Sequence, residues 1–190
     1  FADNFSSAIS YGADGPGTTG YSLALTGANV NAGLYALGVG GAQGAQIVLN
    51  QVGNVITGSV GGTDYFTITV NAVSGDVTLD QLAAIYHGNP LNPDDSATLN
   101  AAAGALVLRA TVTDADGDTA THALDLGAGV FNLKDDGPSI SAASVAAADS
   151  LTVDETNLAA NATASFADNF SSAISYGADG PGTTGYSLVL

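Results

Sequence analysis

The stretch GALVLRATVTDADGDTATHALDL, residues 104–126, sets the fold class. Two runs rich in Leu, Val and Thr, 104–113 and 119–126, flank Asp114-Ala115-Asp116-Gly117-Asp118. β-Branched residues favour strands and an Asp/Gly cluster supplies turn chemistry, so a hairpin is predicted. A further strand over 129–134 runs back antiparallel into Asp135-Asp136-Gly137-Pro138, where proline ends regular pairing. Upstream, 46–50, 54–60 and 64–70 read as a meander, with turns at Val52-Gly53-Asn54 and Gly61-Gly62-Thr63-Asp64. One short helix is predicted over 81–87, capped by Asp80, with Leu82, Ile85 and Tyr86 as its apolar stripe. Asn89-Pro90 and Asn92-Pro93 stop it. The expected architecture is all-β: an antiparallel β-sandwich with one short helix.

Composition narrows the function. Two basic residues oppose 18 acidic ones in 190, a net charge of −16, which excludes nucleic acid as a partner. With 46% hydrophobic residues the chain is too apolar for a disordered acidic tail and has the material for a core. Seventeen of the 18 carboxylates are Asp and only Glu155 is Glu, a bias toward turns and compact oxygen cages for hard cations. There is no Cys, which removes disulfides, thiolate metal sites and cysteine nucleophiles. The most apolar run, 101–108, ends at Arg109 and is too short for membrane insertion.

The chain repeats itself. FADNFSSAISYGADGPGTTGYSLAL at 1–25 returns at 166–190 with a single change, Ala24 to Val189, giving a period of 165 residues. A unit this long is a domain in its own right and implies a tandem array, with neighbouring repeats of the same chain as partners. The Asp-Asp-Gly-Pro stretch marks the boundary, with domains at 1–138 and 139–190.

Strand direction predicts where the acids gather. If 104–113 climbs, the 114–118 turn lies at the top, 119–126 descends and 129–134 climbs again. Asp114, Asp116, Asp118, Asp135 and Asp136 then share one pole. Like charges about 5 Å apart repel by roughly 0.8 kcal/mol per pair even in water, and a divalent cation resolves this. A crowded Asp turn favours Ca²⁺, which accepts six to eight oxygens, over Mg²⁺. An EF-hand is rejected because Thr119 stands where that loop needs Gly, and no Gly-Gly-x-Gly-x-Asp run makes a calcium β-roll. The Asp94-Asp95 pair is a second candidate, with a solvated turn as its alternative.

Five stretches taken together carry a family resemblance: LDQLAAIYH (79–87), NPDDS (92–96), TDADGDTAT (113–121), DDGPSI (135–140) and LTVDET (151–156). In this order they resemble the extender repeats of giant RTX adhesins exported by type I secretion in Gram-negative bacteria. The resemblance implies an immunoglobulin- or cadherin-like β-sandwich, secreted to the bacterial cell surface. It also implies Ca²⁺ near domain junctions, stiffening tandem copies into a rod for surface attachment or biofilm formation. On that analogy Asp114, Asp116, Asp118, Asp135 and Asp136 come from one domain, and Asp154 and Glu155 from the first segment of the next. In that register 1–138 lacks its first segment. Residues 139–190 then either begin the next repeat or dock their strands onto 1–138, within a chain or by strand exchange between chains.

Catalysis finds no support in the pattern. His87 closes the predicted helix, His122 alternates along a strand, and no His-Glu-x-x-His occurs. The chain is read as a non-enzymatic structural module. The competing reading is a Ca²⁺-dependent glycan- or ligand-binding module that would use aromatics such as Tyr11 or Tyr65.

Overall fold

The computed structural model describes residues 1–190. They divide into two compact units, Phe1–Asp135 and Asp136–Leu190, within the Asp-Asp-Gly-Pro stretch.

The first unit opens with a one-turn helix, α1 (Asp3–Ser6), and continues in ten strands. These are β1 (Thr18–Leu25), β2 (Val30–Leu37), β3 (Gln43–Val52), β4 (Val55–Val60) and β5 (Thr63–Val70). Then follow β6 (Val77–Gln81), β7 (Ser96–Asn100), β8 (Leu106–Thr113), β9 (Thr119–Asp125) and β10 (Ala128–Lys134). All pairing is antiparallel, in sheets ordered β2-β3-β4-β5-β6, β1-β8-β9 and β10-β7. This is the antiparallel β-sandwich expected from the sequence.

Period-two burial explains the layering, since alternate side chains leave opposite faces of a strand. Ala32, Leu34 and Ala36 of β2, Ile47 and Leu49 of β3, and Phe66, Ile68 and Val70 of β5 point inward. All of these but Ala36 pack in one cluster with Leu23 of β1, Leu106 and Leu108 of β8, Leu99 of β7, and Phe131 and Leu133 of β10. The Gln51 side chain ties β1 to β3, donating from Nε2 to the Leu23 carbonyl at 2.7 Å while Oε1 accepts from the Leu25 N–H at 2.7 Å.

The helix predicted over 81–87 does not form. Val77–Gln81 pairs with β5 instead, and the Leu82 and Ala83 N–H groups both donate to the Tyr65 carbonyl. The chain then crosses to the other edge of the five-stranded sheet, where Ile85 bridges Ala36 and the Tyr86 N–H donates to the Tyr35 carbonyl at 2.9 Å. A seven-residue helix is marginal by itself, and two open sheet edges offer its donors better partners. Ile85 is buried as the periodicity requires, but from an extended segment. The strand predicted over 129–134 is present, yet its partner is β7, not the neighbouring β9.

The second unit is mostly irregular. Its one strand pair joins β11 (Ser139–Ile140) to β12 (Ile174–Ser175), with single 3-10 turns at Ala142–Ser144, Glu155–Asn157 and Asp168–Phe170.

Candidate metal centre

The β8–β9 hairpin builds its turn around one carboxylate. Asp114 Oδ1 accepts from the Gly117 N–H at 3.1 Å and the Asp118 N–H at 2.8 Å, and the Asp114 N–H donates to the Asp118 carbonyl at 3.0 Å. Gly117 has φ of 104°, which the turn could not obtain from a residue with a side chain.

β1 runs beside β8 in unbroken register from Thr18 opposite Thr113 to Leu25 opposite Leu106. The loop before Thr18 therefore lies against the residues after Thr113. Gly17 makes this approach possible: a Cβ there would overlap the Thr113 carbonyl oxygen and stand 2.7 Å from that of Asp114. Asp14 arrives by this route. One carboxylate oxygen from each of Asp14, Asp114 and Asp116 lies within 4.8 Å of the others.

Two of the three acids, Asp114 and Asp116, interact. The Asp114 carboxyl is held below the ordinary Asp range, first by a hydrogen bond from the Asp116 carboxyl. Partial desolvation opposes this, and the N–H groups of Asp118, Gly117 and Asp116 add to the lowering. Carboxylate oxygens this close repel one another, so the position between them favours positive charge. A groove of about 180 Å³ adjoins, lined by Tyr11, Val112, Asp114, Asp118 and Thr119.

Of the acids expected from the sequence, Asp114 and Asp116 come together, joined by Asp14, which sequence reasoning missed. Asp118 closes the same turn through its backbone but stands outside the trio, and so does Asp135, whose N–H donates to the Asp95 carbonyl at 2.7 Å. Asp136, Asp154 and Glu155 belong to the second unit. Asp154 caps a 3-10 turn through the Thr156 N–H and hydroxyl, and these bonds hold its carboxyl below the ordinary range.

The other candidates have structural partners. Asp94 pairs with Lys134 Nζ at 2.8 Å. Asp95 accepts from the Asn89 N–H at 3.0 Å and the Ser96 N–H at 2.9 Å. His122 is exposed on β9, and His87 follows the extended crossing, with a buried Nδ1 that has no hydrogen-bond partner.

The fold and site define an antiparallel β-sandwich carrying an acidic trio, half-buried at Asp114, where the loop before β1 meets a hairpin turn. The chain belongs to the family described as a domain of unknown function (DUF5801), whose model matches residues 1–127 and 150–190. No match is found among curated proteins or solved structures.

Proposed function

We propose that this chain is a structural extender module of a long bacterial surface adhesin, repeated in tandem, non-enzymatic and stiffened by Ca²⁺. The observation that carries the reading is the 165-residue period: a 25-residue segment stands at the start of the first unit and again in the second. Near-identical copies fill length, whereas binding a ligand ordinarily needs one site or two.

The donor set of the acidic trio fits calcium. Oxygens about 2.4 Å from a common ion are at most about 4.8 Å apart, and the trio's oxygens meet that limit. Asp14, Asp114 and Asp116 would hold the ion. It would neutralise charge within a −16 chain and fasten the loop before β1 to the β8–β9 turn. Secretion to the cell surface accords with typical extracellular calcium modules, whose Kd is about 10⁻⁴ to 10⁻³ M.

The groove beside Asp114, with Tyr11 in its wall, favours the second reading, a Ca²⁺-dependent glycan-binding module. One experiment separates them: small-angle scattering and thermal unfolding of several whole repeats, with calcium and with chelator, alongside a glycan array. Greater length and a higher Tm with calcium support the extender. Chelator-sensitive glycan binding with unchanged dimensions supports the rival.

A further inference from the structure

Residues 1–23 and 166–188 have one sequence and share local contacts. The Tyr11 and Thr19 hydroxyls are 2.8 Å apart, and those of Tyr176 and Thr184 are 2.7 Å apart. The ring centroids of Phe5 and Tyr21 lie 6.2 Å apart, those of Phe170 and Tyr186 6.0 Å apart. Ser6 and Ser171 each donate their hydroxyl to the carbonyl three residues back, both at 2.8 Å.

What covers the two copies differs. In the second unit, Ser139–Ile140 pairs with Ile174–Ser175, the Ser141 N–H donates to the Ala173 carbonyl at 2.9 Å, and the Ala146 N–H donates to the Asn169 carbonyl at 2.8 Å. Asn169 Nδ2 donates to the Ala147 carbonyl at 2.6 Å, and Asn169 and Ala173 are only 8% and 5% exposed. In the first unit the same two residues, Asn4 and Ala8, are exposed, and no strand pairs with Ile9 and Ser10. Asn4 Nδ2 turns back to the Phe1 carbonyl at 3.0 Å. An apolar groove of about 120 Å³ opens beside these residues, lined by Phe5, Ile9, Ala110, Val112 and His122.

The second copy is bare on its other side. Leu188 is 102% exposed, whereas Leu23, the same residue of the repeat, is 3% exposed where β1 lies on β8. Each copy therefore has the covering that the other lacks. Ile140 pairs with Ile174 and lines one cavity with Phe170 and Tyr186; these three residues correspond to Ile9, Phe5 and Tyr21.

We propose that the face formed by residues 4–10 of the first unit is a docking site for the 139–147 segment of the repeat copy immediately upstream in the array. That segment adds a short strand along Ile9–Ser10 and sets its isoleucine against Phe5 and Ile9. Its backbone donates to the Ala8 and Asn4 carbonyls, as residues 141 and 146 donate to 173 and 169. In a 165-residue array, whatever precedes residue 166 precedes its counterpart in every other copy, so covalent linkage presents the donor at high effective concentration. Strand addition at an unpaired edge supplies main-chain bonds, and the apolar pocket supplies register. This proposal rests on the repeat and not on calcium.

The test joins a copy of residues 139–165 ahead of Phe1, as they stand ahead of Phe166, and compares the product with the 190-residue chain. NMR amide exchange is the readout, because the two copies yield fragments of equal mass. Exchange at Ser10, which aligns with Ser175, should slow at least about tenfold on joining. Ile140→Asp in the added copy alone should restore fast exchange. Ala8→Arg, at an exposed position, should do the same without lowering the Tm of the unextended chain. Unchanged exchange on joining, or slowing that survives both substitutions, overturns the proposal. Self-association of the unextended chain that Ala8→Arg abolishes would assign the donor to a second molecule and overturn the upstream assignment.

Discussion

Gly58 and Phe66 stand opposite one another on β4 and β5, and the phenyl ring occupies the space where a side chain on residue 58 would be. A Cβ there would sit 2.5 Å from Cε1 and 2.9 Å from Cε2 of a ring with no solvent exposure. Gly58→Ala must therefore displace Phe66 from the core. Overpacking of this kind costs about 1–3 kcal/mol, and denaturant unfolding should show that loss with an unchanged m-value.

Leu23 and Leu188 allow a matched comparison of one residue in two environments. Leu23→Ala removes a core side chain and should cost about 2–5 kcal/mol. Leu188→Ala, at a fully exposed position, should leave the Tm of the chain unchanged. Equal losses at the two positions would mean that residues 183–190 are packed in solution.

Calcium affinity should depend on Asp14 as much as on the hairpin acids. Asp14→Asn and Asp116→Asn should each weaken binding at least about tenfold in calorimetric titration, as loss of a charged ligand from a small oxygen site does. Gly17→Ala should weaken it too, by pushing the Asp14 loop off Thr113 and Asp114. Full affinity in Asp14→Asn would remove that residue from the site.

Acid should destabilise the fold through depressed carboxyls. Asp125 is lowered by the Gly127 N–H and then the Gly104 N–H, both at 2.8 Å, while Asp114 and Asp154 are lowered by their own partners. A carboxyl whose folded pKa is depressed stabilises the folded state above its unfolded value, and this is lost as pH falls through the folded value. The Tm should therefore drop on acidification through the lower carboxylate range, and Asp125→Ala should flatten that drop. Calcium affinity should fall over the same range as protons compete for Asp114.

Locally encoded features were legible in the sequence. The 104–126 hairpin follows from alternation and an Asp/Gly turn, and Asp114 and Asp116 follow from the turn. Asp14 was not legible, because its place depends on β1 pairing with β8, and no local signal says which distant strands pair. The strand over 129–134 was read correctly, but its partner was not legible: β7 follows a Pro- and Asp-rich stretch and buries only Leu99 fully. The apolar spacing of Leu82, Ile85 and Tyr86 suited a helix, but the free edges of β5 and β2 decided the conformation.

The hydrogen bond from the Gly117 N–H to Asp114 also bears on how the protein ages. Without Cys or Met, the chain lacks the side chains that oxidise most readily, so slow chemical damage falls on Asp-Gly linkages, where the glycine nitrogen closes onto the preceding carboxyl to give a succinimide and then isoaspartate. At Asp116-Gly117 that nitrogen is directed toward Asp114 and away from the attack. The bond that shapes the hairpin turn thus also shields Asp116 from isomerisation.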